Sequence, residues 1–293
     1  MRRRLPSRAR RTPPRLRGSP RLARRRRLDA ELVAQGFFST TDDAMRAVLA
    51  GDVSTSDRRL AFPGEQVTPG IALHVRGHIP YVGRGGLKLE RGLDALGVDP
   101  RGLACLDVGC STGGFTDCLL KRGAASVLAV DVGYAQFDWS LRRDPRVTLR
   151  ERTNMVDLPD DSNRNTIDLA VCDVSFTSVA TVLPAVMEML RPGASAFLTL
   201  VKPQFEAARD EVGEGGVVSD PAVHLRALRG VADAFARAGL EPVGACSSPI
   251  TGHKGNREFL LLGRSTGAPA PLAYDLDLDA VALRGEVALS RTR

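Results

Sequence analysis

Eleven residues near the middle of the chain, Leu106-Asp107-Val108-Gly109-Cys110-Ser111-Thr112-Gly113-Gly114-Phe115-Thr116, limit the fold more than any other stretch. An apolar run reads as a buried strand, the small residues as a tight turn, and Phe115 onward as a helix. Such a turn lets a ligand approach the backbone closely and aims helix N–H groups at it. The next apolar run, residues 127–131, ends in Asp131, and a carboxylate there suits a ribose diol. The pattern G-x-S-T-G-G is not the G-x-G-x-x-G of dinucleotide turns. It predicts a nucleoside-type cofactor and leaves S-adenosylmethionine and NAD unseparated.

Around this turn, strands and helices alternate. Strand patterns fall at 104–108, 127–131, 147–149, 169–173, 196–201, 243–247 and 258–262, and the last two are placed to pair as neighbours. Helical patterns fall at 115–121, 179–190 and 220–238. This alternation predicts an α/β, Rossmann-like fold, a mostly parallel seven-stranded sheet covered on both faces. Before it, Leu28, Leu32 and Val33, then Ala44, Val48 and Leu49, recur at helical spacing, with short extended segments after them. That α+β module of about 50 residues is too small to be an enzyme by itself. A glycine-rich link, Gly83-Arg84-Gly85-Gly86-Leu87-Lys88, leads into the larger domain. The expected organisation is an Arg-rich disordered tail at 1–27, the small module at 28–76, the α/β domain at 77–265 and an extension at 266–293.

The chain carries +7, but residues 1–27 hold thirteen arginines and no acid, so subtracting them leaves −6 for residues 28–293. Net charge therefore gives the folded part no basic surface. The tail reads as a solvated arm or an RNA-touching one, and without an apolar h-region it is no secretory signal. No apolar run is long enough to span a bilayer, so no membrane contact is expected. The five cysteines form no CxxC pair and no zinc spacing; no metal is expected, and their apolar settings suit buried thiols in a reducing, cytoplasmic protein.

Only four of the 41 basic residues are lysines: Lys88, Lys121, Lys202 and Lys254. A lysine kept where arginine is the rule suits a task arginine cannot do, the loss of a proton. Asp173 ends one strand, Lys202 ends the next, and Glu258 opens the last; Lys88 lies in the link. In an open α/β sheet the ligand crevice lies at the carboxyl ends of the strands, so Asp173 and Lys202 point into it. A ribose hydroxyl is a poor nucleophile that must be oriented and relieved of its proton. A lysine can take that proton, with Lys88 supplying charge and Asp173 and Glu258 orienting the two lysines. The plainer reading of the same residues is a helix cap, a surface lysine and an ordinary ion pair.

Residues 81–89 and 106–116, Asp131-Val132-Gly133-Tyr134, Glu151-Arg152-Thr153-Asn154, residues 201–206 and Gly255-Asn256-Arg257-Glu258-Phe259 together resemble the TlyA group of FtsJ-like methyltransferases. These are rRNA cytidine 2′-O-methyltransferases that also carry a haemolysin label. The resemblance implies a catalytic tetrad at Lys88, Asp173, Lys202 and Glu258, with Lys202 as general base. It implies S-adenosylmethionine at Gly109, Ser111, Gly113, Gly114 and Phe115, with Asp131 near the ribose, Asn154 near the adenine and Asp173 near the methionine end. Ribosomal RNA or a ribosomal subunit is the implied partner, and residues 28–75 resemble an S4-like RNA-binding domain. There the chain reads Thr41-Asp42-Asp43-Ala44 where such domains usually begin Ser-Arg, and acids weaken phosphate contact. Three other readings compete: an S4-like RNA-binding protein with an inactive methyltransferase domain, a pore-forming haemolysin, and an NAD-dependent oxidoreductase.

Overall fold

The computed structural model describes residues 25–55, 58–71, 73–77, 79–268 and 270–290. The chain divides into two compact units, one ending at His78 and the other beginning at Ile79.

The first unit runs β1 (Arg26–Arg27), α1 (Leu28–Ala34), α2 (Thr41–Leu49), β2 (Val53–Ser54), β3 (Gln66–Val67) and β4 (His74–Val75). β1 pairs with β3 and β2 with β4, both antiparallel. Leu28, Leu32, Ala44, Val48 and Leu60 close its small core. The acids at the start of α2 have a local role. Thr40 Oγ1 accepts from the Asp43 amide at 3.2 Å and donates to Asp43 Oδ2 at 2.6 Å, capping the helix. Most of the expected tail lies outside the described residues. Its last three residues do not, and two of them are recruited into the fold: Arg26 reaches Glu31 at 2.7 Å and Arg27 reaches Asp29 at 2.6 Å.

The second unit runs α3 (Gly85–Ala95), β5 (Ala104–Val108), α4 (Gly114–Lys121), β6 (Ser126–Val130), α5 (Trp139–Arg142), β7 (Val147–Arg150), β8 (Leu169–Cys172), α6 (Val179–Met189), β9 (Ala196–Val201), α7 (Pro203–Glu206), α8 (Pro221–Ala238), β10 (Leu240–Ser247), β11 (Phe259–Ser265), α9 (Leu278–Arg284) and β12 (Ala288–Leu289). One sheet takes the order β12-β10-β11-β9-β8-β5-β6-β7. The five strands from β9 to β7 are parallel; β11, β10 and β12 continue the sheet, each antiparallel to the strand it pairs with. The sheet has eight strands where the periodicity predicts seven, because two residues near the C-terminus pair with β10.

Alternation along each strand feeds two cores. On one face Leu106, Val108, Phe197 and Val201 meet α6, α8 and α9, with Phe197 stacked on Phe235 at 5.1 Å between ring centroids. On the other, Cys105, Leu198 and Leu200 meet Leu89 and Leu93 of α3 and Cys118 and Leu119 of α4. All five cysteines are free and buried. Strand order reverses at β5, which leads to β6 on one side and has β8 on the other. A doubly wound sheet opens a ligand crevice at that point.

Candidate active site

The β5–α4 turn is built on left-handed backbone. Gly109 has φ +81° and Gly113 φ +96°, and Ser111 adopts φ +47° without being glycine. A Cβ on Gly109 would stand 3.0 Å from the carbonyl oxygen of Asp173, so only glycine lets the turn close on the end of β8. The glycine-rich link serves the same closeness from the other side. A Cβ on Gly114 would meet Gly86 N at 3.0 Å, and one on Gly83 would meet Thr112 Oγ1 at 2.5 Å. The link thus packs against the turn and delivers α3, with Lys88 on its first turn, to the carboxyl edge of the sheet.

Two connected hollows lie on that edge. The larger, about 410 Å³, has apolar walls from Val130, Val132, Met155 and Val174 and polar groups from Asp131, Asn154 and Asp173. The smaller, about 170 Å³, is lined by Gly85, Gly114, Phe115, Asp173, Ser175 and Lys202. Gly109, Ser111, Asp173 and Ser175 line both. Asp131 is locked across the larger hollow: Oδ2 accepts from Ser111 N at 2.8 Å and Oδ1 from Gly133 N at 2.6 Å. Each oxygen keeps a lone pair for a second donor. Asn154 spends its Oδ1 on the Val156 amide at 3.2 Å. Gly113 does not line either hollow; it lies behind the turn, where a Cβ would strike Leu141 at 2.5 Å.

Strand register assembles the other candidates. β8 and β9 pair Cys172 with Thr199, which sets Ser175 beside Lys202. β9 and β11 pair Val201 with Phe259, so Lys202 and Glu258 fall opposite one step further on. Lys202 Nζ meets Asp173 Oδ1 at 2.6 Å and donates to Ser175 Oγ at 2.8 Å. Lys88 Nζ meets Glu258 Oε2 at 2.5 Å. The four residues therefore form two ion pairs, and Lys202 and Glu258 are 7% and 3% exposed. Buried charge is tolerable only when paired in this way.

Two residues join the candidates that sequence patterns single out. Ser175 becomes visible only through the β8–β9 register. Asp107, inside the turn motif, is wholly buried: Oδ2 accepts from Thr116 Oγ1 at 2.6 Å, while Oδ1 has no partner. Burial, the larger influence, pushes its carboxyl up to about 7. Among the described residues no group of three or more His, Cys, Asp or Glu side chains is placed to hold a metal. Nor is any helix among them long and apolar enough to cross a membrane.

Fold and cleft place the chain among the α/β methyltransferases, and residues 81–265 match the model of the FtsJ-like methyltransferases. The Bacillus subtilis protein YqxC is 44% identical over 241 residues, covering 82% of this chain and 85% of its own. The 16S/23S rRNA (cytidine-2′-O)-methyltransferase TlyA of Mycobacterium tuberculosis is 43% identical over 262 residues, 89% of this chain and 97% of its own. A solved structure from Streptococcus thermophilus, named as a hemolysin, superposes with a TM-score of 0.64 at 36% identity, over 90% of this chain and 96% of that one. The chain belongs to the FtsJ-like methyltransferase family, in its TlyA group.

Proposed function

We propose that the protein transfers the methyl group of S-adenosylmethionine to a ribose 2′-hydroxyl of ribosomal RNA, a cytidine by analogy with the named relatives, acting in the cytoplasm on RNA or a ribosomal subunit. The residues fit the cofactor. The larger hollow offers apolar walls for an adenine, a fixed carboxylate at Asp131 for a ribose diol and Asn154 beside them. The smaller hollow offers the left-handed turn and Asp173 to the charged amino-acid end. When bound, the cofactor supplies an electrophilic methyl on a sulfonium.

One observation carries the reading: Lys202, held by Asp173 and Ser175, lines the smaller hollow that joins the larger at Asp173. In its neutral form Lys202 Nζ offers the lone pair that a 2′-hydroxyl proton needs, while the hydroxyl oxygen takes the methyl. Asp173 and Ser175 fix the direction of that lone pair. Lys88, paired with Glu258 on the adjoining strand, sets positive charge at the same edge of the sheet. On this reading residues 28–76 serve as an S4-like RNA-binding unit and 266–293 complete the sheet edge.

The test uses labelled S-adenosylmethionine with unmodified small and large ribosomal subunits, beside Lys202→Ala. Label in rRNA at one alkali-resistant linkage, lost in the variant, is the expected result. Cofactor binding without label in either subunit would move the assignment to an RNA-binding protein with an inactive catalytic domain.

A further inference from the structure

Two exposed aromatic rings flank the cleft on the β6 side, and neither is used by the site described above. Tyr134 is 60% exposed and Trp139 66% exposed. Each carries a guanidinium on one face: Arg152 lies 4.0 Å from the Tyr134 ring centre and Arg143 lies 5.3 Å from that of Trp139. Among the described residues, neither arginine makes an ion pair with a carboxylate. The acids of the same stretch are all engaged elsewhere: Glu151 with Arg142, Asp144 with Arg146, and Asp138 with Ser140. Arg143 and Arg152 thus lie beside two solvent-facing rings without a salt-bridge partner, while Asp138 keeps its charge against the Ser140 hydroxyl and the Glu151 carboxyl is lowered by Arg142 first and by Arg152 from a distance.

The rings are fastened to the cleft. Asp138 N donates to Thr112 O at 3.1 Å, and Phe137 and Leu141 lie against Gly113, which seats α5 on the outside of the cofactor turn. Tyr134 follows Gly133, a residue of the cleft wall, and Arg152 N donates to Gly133 O at 3.0 Å.

Resting on the proposed reaction, we infer that Tyr134 and Trp139 form a stacking surface for unpaired nucleotides next to the one that is methylated. An arginine lies over each ring, and with 60% and 66% of their surface exposed the rings keep area for a nucleobase to stack on. Base–aromatic stacking tolerates any sequence, and an arginine over the ring also reaches the phosphate chain. The occupant is single-stranded RNA rather than a protein, because alternating rings and unpaired arginines match the alternation of bases and phosphates.

Trp139 is the only tryptophan in the chain, so its emission reports this surface alone. The full-length protein is titrated with a short single-stranded oligoribonucleotide and with an abasic phosphodiester of equal length. Quenching by the RNA and not by the abasic chain is expected. The Tyr134→Ala/Trp139→Ala variant, which has no tryptophan and is therefore compared with wild type by filter binding of labelled RNA, is expected to bind the RNA at least about tenfold more weakly while binding cofactor as before. Equal quenching by the abasic chain, or unchanged affinity in a variant whose parent methylates rRNA, overturns the stacking surface and leaves the reaction standing. A blue shift with anionic phospholipid vesicles in place of RNA overturns it in favour of a lipid surface. Wild-type protein that binds cofactor but no RNA overturns both.

Discussion

Lys202 and Glu258 stand opposite each other one step beyond the last paired residues of β9 and β11, and each is held by an ion pair to a different neighbour. Lys202→Arg keeps charge and hydrogen bonding to Asp173 but cannot present a neutral nitrogen. The variant is expected to fold and bind cofactor while losing methyl transfer by about 10²-fold or more. Single-turnover rates at saturating cofactor check this. A variant within threefold of wild type would remove Lys202 from the role of base.

Gly109 admits no side chain. Alanine there meets both the left-handed φ of +81° and the Asp173 carbonyl at 3.0 Å. A cost of about 1–3 kcal/mol in stability is expected, with weaker cofactor binding. Denaturant melts and calorimetric titration measure the two; Gly230→Ala, in the middle of α8 with open space around its Cβ, serves as the control and is expected to stabilise by up to about 1 kcal/mol with cofactor binding unchanged.

Glu206 ties the segment after Lys202 to the start of α6. Its carboxylate accepts from Ser178 Oγ at 2.6 Å and Val179 N at 2.8 Å, just past the loop that carries Asp173 and Ser175. Glu206→Ala is expected to cost about 1–3 kcal/mol through the uncapped amide. It should lower kcat more than it raises the KM for cofactor. Glu206→Gln, which retains an acceptor, is expected to recover most of both.

Asp107 gives the fold a pH dependence. Its carboxyl titrates near about 7 in the folded chain against 3.8 for the free group, because burial disfavours the charged form. The folded state then holds the extra proton between those values, so the contribution of this one group to stability is fully present below about 4 and is lost as pH rises to about 7. Asp107→Asn is expected to flatten that slope in thermal melts, which shows as a gain of a few degrees in Tm at pH 7 relative to wild type.

Truncation before Arg25 separates the arginines outside the described residues from the two that pair with Glu31 and Asp29. Loss of residues 1–24 is expected to reduce RNA affinity and its salt dependence while leaving the melting temperature unchanged. Filter binding at several salt concentrations checks this, and an unchanged salt slope assigns the arm no role with RNA.

Much of the candidate site is legible in the sequence because its residues sit at strand ends. Gly109, Asp131, Asp173 and Lys202 each follow an apolar run, and the crevice of such a sheet lies where those runs end. What escapes a linear reading depends on pairing. Ser175 is marked only by its place beside Lys202. Gly113, read as a cofactor contact, is not among the residues that line the two hollows, and its α-carbon packs near Phe137 and Leu141. The eighth strand is two residues long, too short to display an alternation. Lys88 and Glu258 lie far apart along the chain, and no local pattern announces their ion pair.

Register also bears on how the protein comes to be active. Lys88, Asp173, Lys202 and Glu258 come together only when β8, β9 and β11 have paired over long loops, contacts that form late and slowly. A nascent chain released before β11 would have a cofactor turn but no Glu258 to hold Lys88. If the four residues act as proposed, competence for methyl transfer waits on the last long strand, so an unfinished chain would not mark RNA while it is still being made.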